Sequence, residues 1–104
     1  MITNGHPLDA LGDTTRRQVF ELLREGPRSV GDLAGDLPVS RPAVSQHLRV
    51  LQDAGLVTHR RQGTRNLYEL DSAGIVALRD WVDGFWDDAL ARFKAAAETK
   101  GDTP

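Results

Sequence analysis

The sequence predicts a mainly α-helical fold with one small β-hairpin, built from five helices in a single domain that spans residues 1–104. Two observations predict this. Apolar residues recur at helical spacing in segments bounded by capping residues and by Gly or Pro, and one later stretch instead reads as two short strands around a glycine. In addition, 104 residues with 39 % hydrophobic and 27 % charged side chains suit one globular domain.

The first two helices are marked by their apolar residues and by their ends. The first is predicted over residues 7–12, with Leu8 and Leu11 on its apolar side. Asp13 is a suitable N-cap for the second helix, and Gly26-Pro27 ends that segment.

Residues 29–54 predict two short helices joined by a tight turn. Ser29 can cap the first helix, and Pro38 ends it by disfavouring the α conformation of the residue before it. Ser40 can cap the second helix, with Pro42 in its first turn, where a missing N–H costs nothing. The first helix carries apolar residues at i, i+3, i+4 and i+7, and the buried face of the second repeats this spacing with Val44, His47, Leu48 and Leu51. This pattern is typical of a helix-turn-helix.

Residues 56–70 predict a β-hairpin with Gly63 in the turn. A basic hairpin directly after a helix-turn-helix is a wing, so the predicted fold is a winged helix-turn-helix. The last helix is predicted over residues 72–98, with Asp71 or Ser72 as its cap.

The charge is unevenly distributed along the chain, although the net charge is only −2. Residues 40–66 hold five arginines against one acid, whereas residues 71–104 hold seven acids against four basic residues. A protein that places one face on DNA phosphates would show this distribution, so the negative total does not argue against a nucleic-acid partner.

The outer face of the second helix of the helix-turn-helix supplies the predicted base contacts. Arginine can bond guanine and glutamine can bond adenine in bidentate fashion, while proline offers apolar contact to a thymine methyl. The predicted base-contacting residues are Arg41, Pro42, Ser45, Gln46 and Arg49. The predicted contacts to the DNA backbone are Ser40, Arg16, Arg17, Arg60, Arg61, Gly63, Thr64 and Arg65. His47 falls on the apolar side and is predicted to be a hydrogen-bonded structural residue.

Residues 41–57 resemble the ArsR/SmtB family of bacterial winged-helix repressors, and residues 8–17 and 63–70 support the resemblance in the same order. The resemblance implies a homodimer built from the first and last helices. It also implies two recognition helices in successive major grooves of an inverted-repeat operator on double-stranded DNA, and repression, often of the regulator's own operon.

The last helix carries an apolar stripe too long for the core of a 104-residue chain to cover, which independently favours a homodimer. The residues predicted at the dimer interface are Leu8, Leu11, Ile75, Leu78, Trp81, Val82, Phe85, Trp86 and Phe93. Packing of part of the stripe on its own subunit is the alternative. A small hydrophobic ligand near Trp81 and Trp86 is a second alternative to plain dimer core.

The metal ligands of the family's founding members are missing. Those proteins sense metals through cysteines on the first helix of the helix-turn-helix or through Asp/His sets on the last helix. Here residues 29–33 hold no cysteine and residues 72–98 hold no histidine. Imidazole or thiolate is what transition-metal affinity normally requires, so no metal site and no cofactor are predicted, and the inducer stays unidentified. Acids of the last helix leave an oxygen-only cation site as the alternative to a solvated face.

Two other function classes compete with DNA binding. An enzyme is not predicted, because the sequence lacks a cysteine nucleophile, a Gly-rich phosphate loop and a His/acid pair in a plausible catalytic context. A winged-helix module that binds proteins without specific DNA binding would favour an apolar outer helix face and a hairpin without basic residues. The sequence shows no membrane-length apolar run and no secretion signal, so we expect a cytoplasmic protein.

Overall fold

The computed structural model describes residues 6–101, and the predicted domain of 1–104 extends beyond them at both ends. The elements in order are α1 (Pro7–Ala10), α2 (Thr14–Leu22), a 3-10 turn (Leu23–Glu25), α3 (Val30–Asp36), α4 (Arg41–Asp53), β1 (Val57–Gln62), β2 (Arg65–Leu70) and α5 (Ser72–Gly101). The predicted fold class, mainly helical with five helices and a hairpin wing, is confirmed. None of the helices within the described residues is long and apolar enough to cross a membrane.

The helix caps follow the sequence closely. The Asp13 side chain accepts the Arg16 N–H at 2.9 Å and starts α2. Ser40 starts α4 by accepting the Ala43 N–H at 3.3 Å. At α5 the sequence left Asp71 or Ser72 open, and the structure places the Asp71 carboxylate 3.0 Å from the Ala73 N–H. Each cap satisfies a backbone donor that the helix itself leaves unpaired.

The core lies where α2, α3, α4 and the start of β1 meet. Its fully buried side chains are Val19, Leu23, Leu33, Val44, Leu48, Leu51 and Leu56. Three of these come from α4 and lie on one face of that helix, because positions 44, 48 and 51 are spaced by four and three residues. Burial of this face fixes the rotation of α4 and leaves the opposite face exposed.

The hairpin is antiparallel, with pairs from Val57↔Leu70 to Gln62↔Arg65. Gly63 has a φ of +63° and Thr64 has no positive φ, which is the pattern of a two-residue II′ turn. Arg28 joins the base of the hairpin: its N–H donates to the Tyr68 carbonyl at 2.9 Å, and the Tyr68 N–H donates back at 2.8 Å. The wing is therefore anchored to the segment that precedes α3.

Three element boundaries differ from the sequence predictions. The first helix, predicted over 7–12, is a single turn that ends at Ala10, with Leu11 as its C-cap. The first strand starts one residue after position 56, because the Leu56 N–H donates to the Leu51 carbonyl instead of entering the sheet. The last helix continues to Gly101, three residues past the predicted end at 98.

Candidate nucleic-acid interface

The exposed face of α4 carries the five side chains predicted to contact bases, and all five are exposed. Within the described part of the chain, the side chains of Ser45, Gln46 and Arg49 make no hydrogen bond or ion pair. Their donors and acceptors are therefore available to an external partner. The buried positions 44, 48 and 51 hold α4 rigidly behind this face, so the polar side chains are presented on a fixed scaffold.

Arg41, the first residue of α4, lies against the start of α3. A Cβ added at Gly31 would lie 3.1 Å from Nη2 of Arg41 and 3.4 Å from its Cζ. The guanidinium thus occupies the space that a larger residue at position 31 would need.

The N-terminus of α3 also holds Arg65, the first residue of β2. Ser29 and Asp32 form a capping box, with the Asp32 N–H donating to Ser29 Oγ and the Ser29 N–H donating to Asp32 Oδ2, both at 3.1 Å. Arg65 Nη2 donates to the same Asp32 oxygen at 2.7 Å and to Ser29 Oγ at 3.2 Å. The hydrogen bonds from Ser29, supported by the Arg65 charge, hold the pKa of Asp32 below its usual value.

The other two wing arginines lie on opposite faces of the hairpin. Arg60 Nε donates to Glu69 Oε2 at 3.0 Å, a diagonal cross-strand ion pair. Arg61 Nε donates to the Gly63 carbonyl near the tip at 3.5 Å, its one hydrogen bond within the described residues, and the side chain is exposed. Gly63 and Thr64 are exposed beside it. The hairpin tip therefore presents the Arg61 charge with no acid bound to it in the part of the chain that the structure describes.

Arg16 and Arg17 brace the turn between α1 and α2. Arg16 Nη1 donates to the Ala10 carbonyl at 3.2 Å, and Arg17 Nη1 donates to the Leu11 carbonyl at 3.3 Å. Arg16 is half-buried, and its Nε has no hydrogen-bond partner within the described residues. Arg17 is exposed, so it has the greater access to an external anion.

His47 lies on the inner side of α4, as predicted, but its hydrogen bonding differs from the prediction. The residue is half-buried, and its Nδ1 is buried without a hydrogen-bond partner among the described residues. The prediction of a fully hydrogen-bonded structural histidine is therefore wrong. The nearby Asp13 carboxylate accepts the Arg16 N–H as the N-cap of α2.

The predicted dimer residues separate into two groups. Leu11, Ile75 and Leu78 pack against the core of their own subunit, so packing within the subunit accounts for this part of the stripe. Leu8, Trp81, Val82, Phe85, Trp86 and Phe93 are exposed, with Phe85 at 59 %, Trp86 at 58 % and Phe93 at 65 %. Four of these, with Ala89, line an apolar groove of about 370 Å³ along α5.

The N-terminal turn joins the same surface. His6 caps α1 by accepting the Leu8 N–H at Nδ1, at 3.1 Å, and its ring lies 4.2 Å from the Trp81 ring. Trp81 in turn meets Phe85 edge to face at 4.6 Å. We call the exposed surface formed by Trp81, Val82, Phe85, Trp86 and Phe93 the α5 apolar face. Among the described residues, no group of three or more His, Cys, Asp or Glu side chains is placed to hold a metal ion.

Comparison with known proteins assigns the family. The model of the family described as "Bacterial regulatory protein, arsR family" matches residues 13–59, from the cap of α2 into β1. The HTH-type transcriptional regulator Rv2034 of Mycobacterium tuberculosis is 54 % identical over 93 residues, which cover 89 % of this chain and 87 % of that protein. The chain belongs to the ArsR family.

Two further comparisons support this. The transcriptional repressor SdpR of Bacillus subtilis is 32 % identical over 76 residues, covering 73 % of this chain and 84 % of that protein. The homodimeric winged helix-turn-helix DNA-binding domain of Mb0332 from Mycobacterium bovis matches with a TM-score of 0.64 at 30 % identity, covering 79 % of this chain and 76 % of that domain. The resemblance predicted from residues 41–57 is confirmed, as is the predicted role in regulating transcription through DNA. ArsR members are regulators and not enzymes.

The ion pairs of the wing were missed by the sequence analysis. The Arg60–Glu69 pair follows from the strand register, because Glu69 stands diagonally to Arg60 once Gly63 is placed in the turn. The Arg65–Asp32 pair joins residues 33 positions apart and has no local signal. Charge counts over residues 40–66 therefore overstated the positive charge that the wing leaves free.

Proposed function

We propose that this ArsR-family protein is a homodimeric repressor of its own or a neighbouring operon, and that it inserts α4 into the major groove of an inverted-repeat operator. The observation that carries the proposal is the outer face of α4, where Ser45, Gln46 and Arg49 are exposed with unused hydrogen-bonding groups. A relative named as a repressor and a structural neighbour described as a homodimeric DNA-binding domain support it.

Base contacts are assigned to the same face. Gln46 suits the donor and acceptor pair of adenine, and Arg49 suits the two acceptors of guanine. Arg41, Pro42 and Ser45 lie nearer the N-terminus of α4, where a helix placed in the groove approaches the base edges.

Backbone contacts are assigned to the wing tip and to the N-terminus of α4. Arg61, Gly63 and Thr64 form an exposed tip that can reach phosphates or the adjacent minor groove. Ser40 and the first N–H groups of α4 can bond a phosphate, since a helix N-terminus favours negative charge. Arg16, Arg17 and Arg60 remain predicted phosphate contacts, although each also bonds within the protein, whereas Arg65, predicted with them, is paired with Asp32.

The dimer is assigned to the α5 apolar face together with α1, in the domain arrangement that the sequence predicted. Large aromatic side chains exposed side by side on a helix are costly in water and are typical of an interface. A two-fold axis needs only this one self-complementary surface. The two recognition helices of such a dimer would lie about 34–36 Å apart, one turn of DNA.

Release from DNA is assigned to a signal other than a metal ion. The chain has no cysteine, and its three histidines lie at separate places: His6 beside Trp81, His47 on α4 and His59 in the wing, where Nδ1 lies 2.7 Å from Gln52 Nε2. The described residues therefore bring no imidazole and thiolate groups together at one place where they could bind a transition metal.

The experiment is DNA binding at rising salt. Protein is titrated onto a labelled duplex of random sequence, and the affinity is followed between about 50 and 200 mM salt. If a dimer neutralises about six phosphates, log K falls against log salt with a slope of roughly −5. The competing function, a winged-helix module for protein contact, predicts no salt-dependent binding to DNA. That outcome would overturn the proposal.

A further inference from the structure

Asp32 lies where three parts of the proposed DNA-binding surface meet. It belongs to the first turn of α3, beside Gly31, where an added Cβ would lie 3.1 Å from Nη2 of Arg41 at the start of α4. It also binds Arg65 at the start of β2. Both arginines were predicted to contact DNA, whereas Asp32 is an acid that was not assigned any role in that surface.

The Arg65–Asp32 contact uses acceptors that the N-terminus of α3 already holds in position. One guanidinium nitrogen, Nη2, donates to Asp32 Oδ2 at 2.7 Å and to Ser29 Oγ at 3.2 Å. The two acceptors are themselves locked together by the capping box of α3. Asp32 is thus held in place before Arg65 binds, which reduces the entropy that the ion pair costs.

The pair also determines how much positive charge the wing can offer. Arg65 is 56 % exposed and Asp32 is 47 % exposed, so both face solvent at this edge. An unpaired carboxylate here would repel phosphates, and an unpaired arginine would attract them. Bound to each other, the two charges cancel, which leaves Arg61 as the wing arginine without a bound acid among the described residues.

We propose that Asp32 is a positioning residue that keeps Arg65 from neutralising DNA phosphate and thereby limits sequence-independent binding. The inference rests on the proposed function. Phosphate contacts supply nearly all non-specific affinity, and a chromosome offers a vast excess of non-specific sites. Withholding one cation per subunit therefore leaves more protein free to reach the operator, while the base contacts of α4 are unchanged.

Two substitutions at position 32 separate its charge from its role in the helix cap. Asp32→Asn removes the charge but keeps an oxygen that can accept the Ser29 N–H. Asp32→Glu keeps both the charge and the capping box, since glutamate is a usual partner at this position. Arg65→Ala combined with Asp32→Asn removes both charges. Thermal unfolding of each variant verifies that it is folded before binding is measured.

The test measures the salt dependence of binding to a labelled random-sequence duplex for the full-length protein and these variants. Asp32→Asn should steepen the slope of log K against log salt by about 0.9 per subunit, because Arg65 becomes free to contact a phosphate. Asp32→Glu and the double variant should give the wild-type slope. An unchanged slope for Asp32→Asn, or a steeper slope that persists in the double variant, overturns the inference. Absence of salt-dependent binding by the wild type contradicts instead the proposed function.

Discussion

Gly74 in the first turn of α5 lies against the backbone carbonyl of Gly55, so closely that a Cβ at position 74 would overlap that oxygen. Gly55, with a φ of +80°, turns the chain out of α4 toward the wing. The Asp71 N–H donates to the Leu56 carbonyl at 2.9 Å beside this contact. The base of the proposed dimer helix is therefore fixed directly to the end of the proposed recognition helix.

Gly74→Ala should destabilise the protein by roughly 1–3 kcal/mol, because the added methyl group forces two backbones apart in a packed contact. Urea unfolding followed by circular dichroism measures the change. Gly35→Ala is the matched control, since a Cβ there meets no atom within 4 Å. The control should be neutral or stabilising by up to about 1 kcal/mol through helix propensity. Equal stability of the two variants would contradict the close contact.

Local features of this fold could be predicted from the sequence, and contacts between distant segments could not. The caps at Asp13, Ser29 and Ser40 and the turn at Gly63 depend on neighbouring residues, so their patterns were visible in the sequence. The Gly74–Gly55 contact depends on how α5 packs onto the end of α4. The spacing of apolar residues along the sequence does not indicate how closely two backbone segments approach each other.

The same distinction between local features and contacts of distant segments applies to the candidate DNA-binding site. The exposed face of α4 follows from the spacing of Val44, Leu48 and Leu51, and the structure leaves that face uncovered. The environment of the arginines did not follow from their positions, because Arg65 meets an acid 33 residues away. His47 is a further example. Its spacing indicated that the side chain points inward, but the sequence did not show that its Nδ1 lacks a hydrogen-bond partner among the described residues.

Acid should destabilise the protein in part through Asp13. The hydrogen bond from the Arg16 N–H, with smaller help from nearby positive charges, lowers the pKa of Asp13 below its ordinary value of 3.8. A lowered pKa stabilises the folded state above that ordinary value, and the contribution is lost as the pH falls through the pKa of the folded state. The free energy of unfolding of the wild type should therefore fall as the pH drops below about 4.

Asp13→Asn separates this titration from the cap itself, since asparagine is an equally good N-cap and does not ionise. The variant should be about as stable as the wild type near neutral pH and should lose less stability in acid. Thermal unfolding over a pH series measures both. The Asp32 carboxylate, whose pKa is also lowered, should leave part of the acid sensitivity in place. Identical pH profiles for the wild type and Asp13→Asn would exclude the Asp13 contribution.

Phe85→Glu should dissociate the proposed dimer, because it places a charge in the centre of the α5 apolar face. Loss of one such aromatic anchor costs about 2 kcal/mol or more, so the dissociation constant should rise on the order of 30-fold. Sedimentation velocity over a concentration series measures it. Ala91→Glu adds the same group half a helical turn from the face and should leave the dimer intact. Equal effects of the two variants would argue against this interface.

Metal ions should leave DNA binding unchanged. The described residues assemble no group of three potential ligands, and the chain has no cysteine. Binding to a duplex enriched from a random-sequence library by the wild-type protein is compared with micromolar Zn²⁺ and with EDTA. The two titration curves should coincide. Release of the duplex by Zn²⁺, restored by EDTA, would show that the protein senses metal.

The central claim is that α4 discriminates between base sequences, and Gln46→Ala tests it most directly. The enriched duplex and a scrambled duplex of the same composition are titrated with wild type, Gln46→Ala and Gln18→Ala, the last being the same change on the exposed side of α2. Gln46→Ala should cost about 1–3 kcal/mol on the enriched duplex and little on the scrambled one. Gln18→Ala should match the wild type on both. Equal losses on the two duplexes, or no loss on either, would contradict base contact by Gln46.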